Sequence, residues 1–429
     1  MFTGLPPSGH GIVPYNRGEL DARFVTMAQC FGARGFGTYL FSANPFVSHI
    51  TALARGFDTA EYPWDEQWQA RAQEVTLGKL LPQDASNALG PRYVPGPIKT
   101  GRPKDQVKDA GPVTKEALER WLDGRQSDSP WFAVLNYMEA HVPRIPSLAS
   151  REALFSEAQI AAQMELNQAY INLLLYNFGL HGFSQEELDT ITEVYDASLR
   201  DVDAATADLI SALAARGELD NTIIVLTSDH GEQLGEHAMI GHKYSVYSPL
   251  LRVPLIVRYP PRLAPRRVSE PVGVLGLYPT MLDLAGVQPC SDDLQSSWFA
   301  AQPAEGPVFS ELLDPTTLNW KRVHKVYPDF DPSPWMTRYQ SVEHQGFKLI
   351  RSSEGGAELY NLVADPAELE DLSEIDPERM ELMDAQIDHW HTTFRQYVTD
   401  TAASSAAEKG EMSLEMRARL ESLGYLDAQ

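Results

Sequence analysis

The chain has 429 residues, 43% of them apolar, and its 35 basic against 59 acidic side chains give a formal charge of −24. That apolar content excludes a disordered tail or a collagen-like rod. The acidic balance argues against a surface that tracks the phosphates of DNA or RNA, and makes metal cations better-matched partners.

At a prior of ~150 residues per domain, the length fits two or three domains, or one large α/β domain with a smaller companion. The opening MFTGLPPSGHG has neither a basic n-region nor an apolar h-region, so it reads as mid-domain sequence and not as a secretory leader. No apolar run approaches the ~18 residues of a membrane span. The best one, 171–180, is broken by Asn172 and Asn177, and the chain reads as soluble. Cys30 and Cys290 share no CxxC or metal-finger spacing. They predict two buried free thiols, with neither a disulfide framework nor a zinc site.

Along the chain, the apolar period alternates between 2 and 3.6, the pattern of strands interleaved with helices around a mainly parallel sheet. Short β-rich runs at 37–42 (GTYLFS), 131–136 (WFAVLN), 222–227 (TIIVLT) and 253–258 (VPLIVR) predict buried strands. Residues 83–115 are rich in Pro, Gly, Lys and Asp without periodicity, and read as a surface excursion.

The clearest helix runs from about 185 to 216, with Leu188, Ile191, Tyr195, Leu199, Val202, Leu209 and Leu213 on its apolar face. Ser184 and Glu187 form a capping box, and Gly217 supplies the stop. Beyond a polar stretch at 290–306, runs at 307–311, 338–343, 347–351 and 358–361 predict an antiparallel meander. Helical patterns at 377–394 and 412–423 follow. The expected division is a catalytic α/β domain over 1–300 and a smaller α+β domain over 301–429.

The sharpest chemical signal is TIIVLTSDHGEQLGEH, an apolar strand running into Asp229 and His230. Open α/β sheets place ligands at the carboxyl ends of their strands. A carboxylate beside an imidazole suits a divalent metal, provided a turn at Gly231 lets both reach one ion. Lys243, in GHKYSVY, stands where a tetrahedral oxyanion would need a cation. His141, in NYMEAHVP, ends another strand, where an imidazole can bind an anion or protonate a leaving oxygen. Each of these also has a bland reading alone: a turn-capping Asp, a solvated Lys, a structural His. The G-x-S-x-G, GxxxxGK and HExxH templates are missing, and the Gly32, Gly35, Gly37 cluster precedes its strand instead of following it.

In order and spacing, FTGLPPSGHG, GFDTAEYP, FAVLNYMEAHVP, the helix leading into TIIVLTSDHGE, GHKYSVYSPLLRVPLIVRYP and GFKLIRSSEGGAELYNLVADPAELEDL make the chain resemble the sulfatase branch of the alkaline-phosphatase-like superfamily. The resemblance implies a large central, mainly parallel sheet flanked by helices, a C-terminal antiparallel sheet, and a hydrolase of sulfate esters. It implies one divalent cation, calcium by family, with manganese or zinc as the alternative, towards which an Asp-His pair in place of Asp-Asn tilts the site. It assigns Asp229 and His230 to the metal, His141 and Lys243 to catalysis, and His141, Lys243 and His242 to the substrate.

Three departures stand out. The family's oxyanion lysine lies in K-G-[ST]-x-Y-E, where Tyr244 here replaces the glycine and Ser248 the glutamate. The usual G-K-W-H-L-G segment is replaced by FSANPFVSH, which brings Asn44 and His49. The family's C/S-x-P-x-R nucleophile segment ends in the stretch that is Phe2-Thr3-Gly4 here, so no nucleophile is assigned in this chain. The expectation is that Met1 is internal to a longer frame and that the literal chain turns over little or no substrate. Phosphodiester or phosphonate hydrolysis, phosphoglycerol-type transfer and a non-catalytic anion- and metal-binding protein are the competing functions. A saccharide or small-molecule sulfate ester is the expected partner.

Overall fold

A computed structural model describes residues 1–12, 19–79, 110–126, 129–142, 144–156, 170–292, 294–299, 306–313, 315 and 320–393. The chain divides into two discontinuous units: Gly35–Asp220 with Leu234–Gly241 and Ser413–Gln429, and Met1–Arg34 with Asn221–Gln233 and His242–Met412.

The first of these units is built on a parallel sheet of β1 (Gly37–Ser42), β2 (Thr59–Glu61) and β3 (Trp131–Asn136), with β1 in the centre. In register, Tyr39 faces Thr59 and Ala133, and Ser42 faces Asn136. Residues 38–42 are all buried, as a central parallel strand covered on both faces requires. Its polar members are satisfied, with the Tyr39 hydroxyl donating to Glu61 at 2.7 Å. The helix Gly111–Asp123 packs beside the strand β1 and the long helix Gln185–Ala215. Residues 111–115 of the expected surface excursion therefore belong to a helix; 83–109 lie outside the described residues.

The long helix starts and stops where its sequence predicts. Ser184 and Glu187 each accept the other's backbone N–H, a complete capping box. Gly217 adopts φ +72° while the N–H of Glu218 returns to the carbonyl of Leu213 at 3.0 Å. The buried stripe is corrected in one place: Leu199 is exposed, and Val194, Ala197 and Ser198 are buried at that turn. At that turn Val194 and Ala197 pack with Phe155 in a small buried cluster.

In the other unit, β4 (Ile224–Thr227) pairs antiparallel with the strand Leu255–Arg258, Ile224 opposite Arg258. Both are shorter than expected and half-buried, with Ile256 largely exposed, so the expectation of buried strands fails here, as it does for β3, where only Phe132 is buried. The C-terminal sheet is the expected antiparallel meander, in spatial order Ala357–Asn361, Phe347–Ser352, Tyr339–His344, Val308–Leu312. The helix Pro377–Thr393 sets Met383 and Ile387 onto Val342, Leu349 and Leu359 of that sheet. The segment 412–423 lies outside the described residues.

The cysteines overturn the thiol expectation. Cys30, on the helix Met27–Gly32, and Cys290 form a disulfide with Cα atoms 5.7 Å apart. Spacing rules based on short motifs miss it because its two ends are 260 residues apart. No helix among the described residues is long and apolar enough to cross a membrane.

Candidate metal and anion site

The chain leaves β4 in a turn that its own side chains organise. The Ser228 hydroxyl donates to the carbonyl of His230 at 2.7 Å, and the N–H of His230 donates to Asp229 Oδ1 at 3.1 Å. Gly231 is required for close approach: its N–H donates to the carbonyl of Leu250, and a Cβ there would lie 2.0 Å from the carbonyl oxygen of Pro249. Two adjacent residues on a regular strand would point to opposite faces. This turn instead brings Asp229 Oδ2 within 3.8 Å of His230 Nε2.

That separation fits a shared ion, since two ligands ~2.1 Å from one metal lie roughly 3–4 Å apart. The tautomer fits as well. His230 Nδ1 lies 2.8 Å from the carbonyl of Gly231, which can only accept, so Nδ1 holds the proton and the lone pair is on Nε2.

His242 stacks on His230, ring centroids 4.2 Å apart at 24°. Its Nδ1 is 2.8 Å from Oε2 of the buried Glu232. Burial lowers the His242 pKa, although Glu232 opposes that shift. Potential ligand atoms of His230, Glu232 and His242 all lie within 4.8 Å of one another.

The segment that carries Lys243 is anchored from both sides. The Ser245 hydroxyl donates to Gln233 Oε1 at 3.0 Å, and the Tyr247 hydroxyl to Glu358 Oε2 at 2.9 Å. The N–H of Ser248 donates to Glu368 Oε2 at 2.7 Å. Ser248 thus replaces the family pattern's glutamate, and a carboxylate reaches its backbone from a distant part of the sequence.

His141 belongs to the unit of the parallel sheet. It follows β3 in a turn closed by its own N–H on the carbonyl of Met138, and its Nδ1 is 2.6 Å from the carbonyl of Val142. The same turn is fixed by buried Glu139, which accepts the N–H of Gly111 at 2.6 Å and of Met138 at 3.1 Å. Asn44 and His49 serve local structure: Asn44 Oδ1 accepts the N–H of Phe46, and the His49 ring meets Tyr62 edge-on.

A family model described as Sulfatase matches residues 1–287. The chain belongs to the sulfatase family. A second model, N-sulphoglucosamine sulphohydrolase C-terminal, matches residues 235–392. The chain is 30% identical over 210 residues to arylsulfatase K of Bos taurus, covering 48% of this chain and 37% of that protein. It is 32% identical over 182 residues to the N-acetylglucosamine-6-O-sulfatase of Bacteroides thetaiotaomicron, covering 42% and 31%. The chain thus spans well under half the length of the curated relatives it matches.

Among solved structures, BT4656 in complex with its substrate D-glucosamine-2-N,6-O-disulfate superposes with a TM-score of 0.64 at 18% identity, covering 92% of this chain and 86% of that one. The phosphonate monoester hydrolase of Silicibacter pomeroyi gives 0.65 at 20%, covering 92% and 85%. This sulfatase therefore has the alkaline-phosphatase-like α/β fold, and the family implies a divalent metal ion.

Of the residues singled out from sequence, the structure pairs Asp229 with His230 and stacks His230 on His242, with Lys243 next in sequence. Glu232 was missed. Its only sequence signal is its place two residues after His230, and its role comes from a return of the chain that no local pattern encodes.

Proposed function

We propose that this sulfatase hydrolyses sulfate esters of saccharides with one divalent cation, held by Asp229 and His230. The observation that carries the reading is the approach of Asp229 Oδ2 to His230 Nε2 at the end of β4, in a chain of this family. A cation there would act as a Lewis acid on a nonbridging sulfuryl oxygen.

The chain's own residues supply the remaining handling. Lys243 offsets the negative charge that gathers on the transferred group, its backbone steadied by the anchors at Ser245, Tyr247 and Ser248. By the family resemblance His141, whose Nδ1 lies 2.6 Å from the carbonyl of Val142, is the proton donor to the leaving oxygen. No stretch of residues 1–429 matches C/S-x-P-x-R, and the attacking group is not assigned among them. The saccharide class is supported by the relatives named for glucosamine sulfates.

The test is release of sulfate from glucosamine 6-O-sulfate and from an aryl sulfate, with and without a chelator, beside an aryl phosphate and a phosphonate monoester. Chelator-sensitive sulfate release supports the reading. Preference for the phosphonate would favour the second reading, which shares its fold with two phosphonate monoester hydrolases at TM-scores of 0.63 and 0.65. Metal-dependent sulfate binding without turnover of any substrate, in a protein extended to carry the C/S-x-P-x-R segment, would favour an anion- and metal-holding protein.

A further inference from the structure

We infer that His242 is a third protein ligand of the divalent ion, beside Asp229 and His230, and that Glu232 is the positioning carboxylate that orients it. The inference rests on the reading that Asp229 and His230 hold that ion.

Four observations carry it. Both imidazoles present the same edge chemistry, each with Nδ1 engaged by an oxygen: Gly231 carbonyl for His230 and Glu232 for His242. In the neutral ring this puts a lone pair at Nε2, which attracts a cation and repels a sulfate oxygen. The two rings stack at 4.2 Å, so the two imidazoles occupy one small volume. Glu232 and His242 are both largely buried, their side chains 5% and 14% exposed, so the pair is held in place by packing. Finally, potential ligand atoms of His230 and His242 fall within 4.8 Å of each other, with Glu232 in the same cluster, a spacing within reach of one ion.

A carboxylate hydrogen-bonded to a ligating imidazole is the usual outer support of a transition-metal site. His242, which sequence places with the substrate, then belongs on the metal side of the site. Among the described residues the donors become two imidazoles and one carboxylate. Two imidazoles tilt the preference from calcium, which takes oxygen ligands, towards zinc, manganese or cobalt.

The experiment strips the protein with a chelator, loads it with zinc, manganese or calcium, and reads metal stoichiometry after dialysis. X-ray absorption on the zinc form counts imidazoles. The expected result is two imidazoles per zinc in the unaltered protein and retention of zinc over calcium. His242→Ala is expected to leave one imidazole and to weaken zinc binding by more than tenfold. Glu232→Gln is expected to keep two imidazoles with roughly 10–100-fold weaker binding. A single imidazole in the unaltered protein overturns the inference whatever the folding of the variants, as does unchanged zinc affinity in His242→Ala. Full zinc affinity in His230→Ala overturns the parent assignment of the ion to Asp229 and His230, and so is a distinct failure.

Discussion

Lys348 and Glu368 form a buried ion pair of 2.6 Å, both side chains 2% exposed or less, and the second oxygen of that same carboxylate holds the N–H of Ser248. The pair joins the C-terminal meander to the start of the short helix Ser248–Leu251, immediately after the segment that carries Lys243. Glu368 reaches this position from a backbone at φ +56°, a conformation that side chains other than glycine rarely adopt.

Removing either partner strands a buried charge, which costs about 3–5 kcal/mol. Lys348→Met is therefore expected to lower the urea midpoint strongly. The double change Lys348→Met with Glu368→Gln, which removes both charges, is expected to recover most of that loss. Urea titrations of the two variants beside the unaltered protein check this, and a double variant no better than Lys348→Met would refute it.

The Cys30–Cys290 disulfide closes a loop with a sequence separation of 260 residues. Constraint of so long a loop in the unfolded chain is worth about 2–5 kcal/mol. Without reductant, alkylation should find no reactive thiol even in denaturant. Ser at both positions is expected to lower the melting temperature by several degrees, and reductant should then have no further effect on that variant. Two thiols alkylated in the untreated, denatured protein would contradict the pairing.

Much of this fold is legible in sequence where local chemistry decides it. The strand limits at 37–42 and 131–136, the capping box at Ser184 and the C-terminal meander follow from side-chain period and turn residues acting over a few positions. The contacts that complete the candidate site are of another kind. Glu232 meets His242 across ten residues, Glu358 meets Tyr247 across 111, and Glu368 meets Ser248 across 120. No periodicity encodes such returns. Gly231 is an intermediate case: its presence signals an unusual backbone, but the reason, a close approach to Pro249, appears only in three dimensions.

Asp201 gives a pH prediction in the unit of the parallel sheet. It pairs with buried Lys79 at 3.2 Å and accepts the hydroxyls of Ser147 and Ser150 at 2.6 and 2.7 Å and the Ser147 N–H at 2.7 Å. Burial pushes its pKa up, but Lys79 and these hydrogen bonds outweigh that and hold it below the ordinary value. A carboxyl depressed in the folded state contributes stability that is fully present above its unfolded pKa of about 4 and is lost as pH falls through the lower folded value. Asp201→Asn should destabilise the protein by about 1–3 kcal/mol at neutral pH. The gap between the two proteins should close as pH drops below about 4. Equal stabilities at pH 7, or a gap that widens in acid, would contradict the assignment.

Gly231 tests the local geometry of the site itself. Its missing side chain lets residues 231 and 232 lie against the short helix, where their N–H groups donate to the carbonyls of Leu250 and Pro249 at 2.8 and 3.1 Å. The Cβ of Gly231→Ala would meet backbone, not a movable side chain, at 2.0 Å. Relief requires the turn to shift away from Pro249, stretching both hydrogen bonds and displacing His230, whose Nδ1 is held by the carbonyl of residue 231. The expected cost is about 1–3 kcal/mol of stability. Divalent metal affinity should fall together with it, because the lone pair of His230 is aimed by that carbonyl. Calorimetric metal titration below the melting transition separates the two effects: a folded Gly231→Ala protein that binds metal as tightly as the parent would show that the turn does not set the ligand geometry.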